Sequence, residues 1–331
     1  MDTSSLSTGS SFEGKPAVFV RILGWLTLAF MMAFLFNNCL TYGFEIPDIS
    51  RLFEDTGSKS YTQLLVYLAL LIITITWVAQ TSGRSLRSDA NQITRFNAYF
   101  VRGCFFAVLY VGVVDASIAW LRVERLLPVL FDQEMASALL RSSFIGPWIH
   151  TPLVGLGFFT ALFSRTLGFT WLAVMIVAAE FLIVISRFVF SYEQSLMGDL
   201  VRYWYAALFL FASAHTLLEE GHVRVDIVFA GLSVRNKGRV NAWGSILLGM
   251  VTAVTIFLIC LWSKQAIVNS PVMNFEVSQT GTAGMYIKYQ MAAFLLIFAV
   301  TMQMQFVSYF FEAVADMRNE PGKRMPAPIS H

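Results

Sequence analysis

Long apolar runs separated by short polar stretches dominate the chain. Eight of them recur, at residues 18–42, 61–80, 98–121, 147–164, 167–190, 199–218, 241–262 and 286–311. A hydrocarbon core about 30 Å thick needs roughly 20 apolar residues at 1.5 Å rise each, so each run predicts a membrane-crossing helix. The expected fold class is therefore all-α, a polytopic membrane bundle of about eight helices. The fourth run is short and carries His150 and Pro152 near its start, and a three-residue link, Ser164-Arg165-Thr166, joins it to the fifth. It reads either as a full crossing or as a re-entrant segment. Residues 122–146 mix Val123, Leu126, Leu127, Leu130, Phe131, Met135 and Leu139 with Arg122, Glu124, Arg125, Asp132 and Arg141. That mixture fits an interfacial amphipathic helix with Pro128 as a break or first-turn residue, or equally an ordinary loop.

Composition strengthens the membrane reading. Of 331 residues, 56% are hydrophobic and 13% charged, and the mean hydropathy is +0.63. A soluble domain carries about a quarter charged residues. The net charge of +2 gives no footprint for nucleic acid. The three cysteines, Cys39, Cys104 and Cys260, all lie in apolar runs without metal or disulfide spacing. Residues 1–17 read as a disordered tail, and the first apolar run, too long for a signal-peptide core, reads as a retained helix.

Charge placement sets a direction. Arg84, Arg87 and Arg95 in loop 81–97, Arg224, Arg235, Lys237 and Arg239 in loop 219–240, and Arg318, Lys323 and Arg324 in the tail 317–331 mark cytoplasmic segments by the positive-inside rule. Loop 43–60 is mostly acidic, and loop 263–285 carries only Lys264 and Glu276. Alternation then needs an even number of crossings and places both termini inside.

Ionisable residues within spans are candidates for function. Glu180 lies midway along the fifth span and Asp115 deep in the third. They read either as a cation- or proton-handling pair or as acids that lock helix packing, with no deep Lys or Arg as partner. Arg21 and Arg102 are expected to snorkel to headgroups from span ends. His215, Glu219 and His222 form a loose set without a recognised metal order, and His150 and His215, expected at opposite faces, do not pair for haem. No cofactor is expected, and no nucleophile elbow, triad or phosphate loop points to an enzyme.

Ordered motifs surround spans five and six. The fifth ends in Arg187-Phe188-Val189-Phe190, and nine residues later Asp199-Leu200-Val201-Arg202-Tyr203 opens the sixth. The sixth ends in Glu219-Glu220-Gly221-His222-Val223-Arg224-Val225-Asp226, followed by the basic turn Ser233-Val234-Arg235-Asn236-Lys237. From Leu167 to about Asp316, a little under half the chain, this resembles the small membrane subunit (DctQ type) of the tripartite ATP-independent periplasmic, or TRAP, transporters. Asp199 stands where the family usually has Glu, and Gly284-Met285-Tyr286-Ile287-Lys288-Tyr289 replaces a Pro-rich approach to the last span.

The resemblance implies a division into 18–165, an N-terminal four-helix extension of unassigned role, and 166–316, a four-helix DctQ-like domain. It further implies a scaffold in the bacterial inner membrane. Its expected partners are a large transport subunit, sodium-coupled and moving an organic acid or similar solute, and a periplasmic solute-binding protein. No substrate cleft is then expected in this chain. Asp199 and Arg202 would pair at the outer boundary, Arg224 and Asp226 would tie the inner turn, and His222 would cap the sixth span. The competing classes are a stand-alone ion- or proton-coupled carrier and a membrane anchor of a redox complex.

Overall fold

The computed structural model describes residues 15–49, 60–165, 169–219, 227–278 and 280–323. It is 81% helical, with no strand among the described residues, an all-α polytopic helix bundle. The long helices are α1 (Val18–Gly43), α2 (Ser60–Gln80), α3 (Leu86–Val123), α4 (Ser142–Phe163), α5 (Phe169–Val189), α6 (Ser195–Leu218), α7 (Val234–Leu261) and α8 (Lys288–Met317). Among the described residues, seven helices are long and apolar enough to cross a membrane. α6 is not among the seven, because Arg202, Tyr203, Trp204, Tyr205 and His215 dilute its apolar run. α4 is among them, which favours a crossing over a re-entrant segment.

α4 is not a plain α-helix. Gly146–His150 forms a π turn in which the Thr151 N–H reaches back five residues to the Gly146 carbonyl. Pro147 and Pro152 bracket this turn and can donate no main-chain hydrogen bond, so the wider turn accommodates the missing donors. The turn also sets the direction in which His150 points.

Compactness divides the chain differently from the boundary expected near residue 165. One unit takes Met1–Asn97, Thr216–Leu261 and Ala299–His331, and the other takes Ala98–His215 and Trp262–Phe298.

In the first unit, Arg21 is fully buried rather than snorkelling. Its Nε donates to Asp89 Oδ2 at 2.6 Å, and its Nη2 donates to Thr81 Oγ1 at 2.9 Å. Trp25 Nε1 gives Asp89 a further hydrogen bond at 2.9 Å. The start of α3 is held as well. Arg87 pairs with Glu312 and, at 2.7 Å, with Asp316, while the Leu86 N–H donates to Glu320 at 3.0 Å. Residues expected to be a basic loop thus begin a 38-residue helix in which Arg87 and Asp89 are paired internally while Arg95 stays exposed.

The second unit packs around Phe105, Tyr203, Trp204, Phe211 and Phe294. Residues 122–146 do not form one interfacial helix. They fold as short helices, Leu127–Leu130, Gln133–Ala138 and Ser142–Ile145, with Pro128 in the first turn of the first. Leu127, Ala136, Leu139 and Ile145 turn inward onto Ile118 and Tyr286. Leu130, Phe131 and Met135 stay exposed.

α3 and α4 meet closely. A Cβ at Gly157 would lie 2.5 Å from the Ala107 main-chain nitrogen. Close approach of this kind lets polar groups bridge the helices. Tyr99 donates to the Phe158 carbonyl, Arg102 Nε to the Ala161 carbonyl and Tyr110 to Thr160, at 3.1–3.2 Å. Arg102 is therefore also a packing residue. Gly157→Leu is expected to separate the two helices and cost about 3 kcal/mol or more, since backbone cannot yield as a side chain does. A thermal midpoint in detergent, lowered relative to Gly155→Leu where nothing lies within 4 Å, checks this.

Candidate functional site: an acid clamp and an apolar cavity

The second unit's polar residues converge on the strand of chain that leads into α8. Asp199, in the first turns of α6, is 4% exposed and accepts hydrogen bonds from the Met285 N–H at 3.1 Å and the Thr280 hydroxyl at 3.2 Å. Asp115, on α3 and fully buried, accepts the next main-chain N–H, that of Tyr286, at 2.7 Å. Arg122, in the last turn of α3, donates to the Gly284 carbonyl at 3.1 Å and lies 3.8 Å over the Tyr286 ring. The Tyr286 hydroxyl donates to the Leu140 carbonyl at 2.9 Å.

Gly284 is required by this crowding. A Cβ there would sit 1.9 Å from Thr280 Oγ1 and 2.4 Å from Asp199 Oδ2. Two acids on two helices thus hold consecutive amides of Gly284-Met285-Tyr286-Ile287. A buried carboxylate accepting main-chain N–H groups satisfies donors that nothing else nearby could reach.

The Asp199–Arg202 pair is present at 3.6 Å, with Arg202 72% exposed. An exposed partner at that distance adds little, and the main-chain donors carry Asp199. Arg187 is also exposed and pairs with Glu193 at 3.5 Å. His222, Arg224 and Asp226 lie outside the described residues. The loose set His215, Glu219 and His222 is therefore only partly in view, and among the described residues no three His, Cys, Asp or Glu side chains gather as metal ligands.

The two intramembrane acids are not brought together. Asp115 is enclosed, whereas Glu180 stands exposed on α5 with no hydrogen bond or ion pair among the described residues. Glu180 therefore does not lock packing inside this chain. Its neighbours Val177, Phe181, Leu182, Val184 and Phe188 are exposed too, and only 11% of α5's membrane-length window is buried.

Asp115 has the partner missing from the sequence. His150 Nε2 lies 3.2 Å from Asp115 Oδ1, and His150 is itself fully buried. His150 Nδ1 is 2.8 Å from the Tyr289 hydroxyl, Gln290 Nε2 donates to Tyr289 at 3.0 Å, and the Tyr203 hydroxyl donates to Gln290 Oε1. The Asp115–His150 contact is a close approach without hydrogen-bond geometry, whereas His150, Tyr289, Gln290 and Tyr203 are joined by hydrogen bonds. His150, Tyr203, Tyr289, Gln290 and Arg122 were not legible as site residues. The one available signal was their position within a few residues of span ends.

This row borders a cavity of about 350 Å³. Phe100, Cys104, Phe158, Phe211, Phe294 and Ile297 form its apolar walls. The sequence held no sign of this cavity. Helix faces that look merely apolar in sequence leave a void where aromatic rings meet without filling the space between them. No protein-family model, curated protein or solved structure matches this chain.

Proposed function

We propose that this chain is the small, scaffold subunit of a TRAP-type secondary transporter. It sits in the bacterial inner membrane with both termini cytoplasmic and catalyses no reaction of its own. On this reading a larger membrane subunit moves the solute, an organic acid or similar compound delivered by a periplasmic binding protein and coupled to sodium. The motifs Arg187–Phe190, Asp199–Tyr203 and Glu219–Asp226 supply the family resemblance.

The observation that carries the scaffold role is the outward-facing Glu180. An acid at mid-span facing hydrocarbon costs roughly 2.5–3.5 kcal/mol on insertion scales. Such a residue on an otherwise apolar helix calls for a protein partner with a hydrogen-bond donor at that depth. The exposed aromatic and aliphatic side chains around it supply the packing surface. α5 thus supports a helix of the large subunit as its occupant, with the donor opposite Glu180.

Co-expression with the large subunit tests this. The pair is expected to co-purify. Glu180→Leu is expected to keep this chain folded while reducing recovery of the partner several-fold, with Glu180→Gln intermediate because it retains an acceptor. Recovery unchanged in both variants, or solute uptake by this chain alone in vesicles, would sink the scaffold reading. The carrier alternative has less support. Asp115 is committed to the Tyr286 amide and His150, and Glu180 faces away from any internal path.

A further inference from the structure

The cavity of the second unit plays no part in the scaffold reading, and its construction points to a ligand. At about 350 Å³ it lies in the range of sites that enclose small molecules. Most of its accessible lining is apolar, a surface that a hydrocarbon guest covers better than water does. The enclosed wall is Cys104, Phe211 and Phe294, all buried. The rim is different. Val154 and Phe158 of α4 and Ala293 and Ile297 of α8 line the cavity while remaining half-exposed. Both helices are long and apolar enough to cross a membrane. A rim of that composition admits a guest from lipid rather than from water.

The two ends of the cavity differ in chemistry and depth. Tyr289 and Gln290 belong to the first turn of α8, where a spanning helix meets the headgroup boundary. Ile297 is seven residues further along, about 10 Å deeper at 1.5 Å per residue. One end therefore lies at the level of lipid ester groups and the other among acyl chains.

The polar end also selects charge. Tyr203 donates to Gln290, and Gln290 spends one amide hydrogen on Tyr289. The Thr151 hydroxyl donates to the Gly146 carbonyl at 3.2 Å. Among the described residues, Gln290 Nε2 makes one hydrogen bond and so keeps a second amide hydrogen, while His150 Nε2 also lacks a hydrogen-bond partner but faces Asp115 at 3.2 Å. Among the described residues no Lys or Arg lines the cavity, and the Asp115 carboxylate lies behind His150. Such an end receives a neutral oxygen acceptor and disfavours an anion.

We propose that this cavity holds one acyl chain of a membrane lipid, with its ester carbonyl accepting the free amide hydrogen of Gln290 and its methylenes running along Phe158, Phe294 and Ile297. The site is held in register by the acid clamp. Asp115 orients His150, and His150, Tyr289 and Gln290 form one hydrogen-bonded row.

The full chain, in nanodiscs containing a phospholipid with a diazirine midway along one acyl chain, gives a direct test. Irradiation followed by peptide mapping is expected to label Phe100–Val108 and Ala293–Ile297 above the level seen on the exposed face of α5. Ala293→Trp fills the rim and is expected to abolish the cavity label while leaving that of α5 unchanged. Gln290→Leu is expected to lower it about five- to tenfold, the weight of one hydrogen bond. Val154→Phe, which narrows the same rim from α4, replaces Ala293→Trp if the latter lowers the thermal midpoint. Cavity labelling that never exceeds the α5 level, or that survives both rim variants, overturns the proposal. So does an Ala293→Cys variant that cross-links to a partner protein instead of to lipid.

Discussion

Arg21→Met is expected to destabilise the protein by about 3–5 kcal/mol, because it leaves the Asp89 carboxylate buried without its cation. Both side chains are fully enclosed and 2.6 Å apart. Asp89 retains Trp25 Nε1 as a donor, and Arg84 approaches it at 3.4 Å from a partly exposed position. Neither replaces the contact that Arg21 makes. Asp89→Leu alone is expected to cost a similar amount, since it strands the guanidinium. The double replacement Arg21→Met with Asp89→Leu is expected to recover most of the loss, because removing both ions also removes both desolvation costs. Unfolding in mixed detergent micelles, with the four proteins of the cycle compared, measures this. A double variant as unstable as the sum of the singles would mean that the pair does not act as a unit.

Asp115→Ala is expected to cost about 3 kcal/mol, since it strips the Tyr286 amide of its buried acceptor and leaves His150 without the carboxylate that lies 3.2 Å from it. Asp115→Asn keeps an acceptor for the amide and is expected to lose less. Asp199→Ala removes the acceptor for Met285 and Thr280, and about 1–3 kcal/mol is expected. The two acids hold adjacent amides, so their effects are expected to be non-additive by more than about 0.5 kcal/mol. Amide exchange at Met285 and Tyr286 gives a local readout. Both amides are expected to be slow in the wild type, with Tyr286 accelerated by Asp115→Ala and Met285 by Asp199→Ala. Unchanged exchange at either amide would refute its half of the clamp.

The sequence was informative where one periodicity decides. Apolar runs of about 20 residues can only be satisfied as helices when the surroundings offer no hydrogen bonds, so α1, α2, α4, α5 and α8 fall close to the predicted runs. Spans three and seven were located correctly but begin earlier than expected. α3 starts at Leu86, where charges find partners, and α7 at Val234, where Ser233 caps the first turn and Arg235 and Arg239 stay exposed. Arg87 finds Glu312 and Asp316. Nothing in the local sequence around Arg87 could reveal partners more than 200 positions away.

The polar site shows the same division. Asp115 and Asp199 were recognisable singly, as an acid inside a span and an acid within a motif. That they hold neighbouring amides was not. Gly284 marked the approach to the last span, but its requirement for a missing Cβ comes from Thr280 and Asp199, which arrive from the same loop and from α6. Glu180 went the other way. Its depth was plain from its position in the run, while its direction depended on which face of α5 the rest of the unit covers.

The sequence by itself determined the class of molecule, an all-α membrane bundle, and the approximate positions of its long helices, because the cost of unpaired backbone in hydrocarbon leaves few alternatives. The tertiary structure alone decided which charges are enclosed and which face outward. It joined Arg21 to Asp89, Asp115 to His150 and the Tyr286 amide, left Glu180 exposed, and opened a cavity between aromatic side chains of α3, α4, α6 and α8. Burial, pairing and void space depend on the rotation of each helix about its own axis. In runs apolar on nearly every side, no stripe fixes that rotation, and packing must do so.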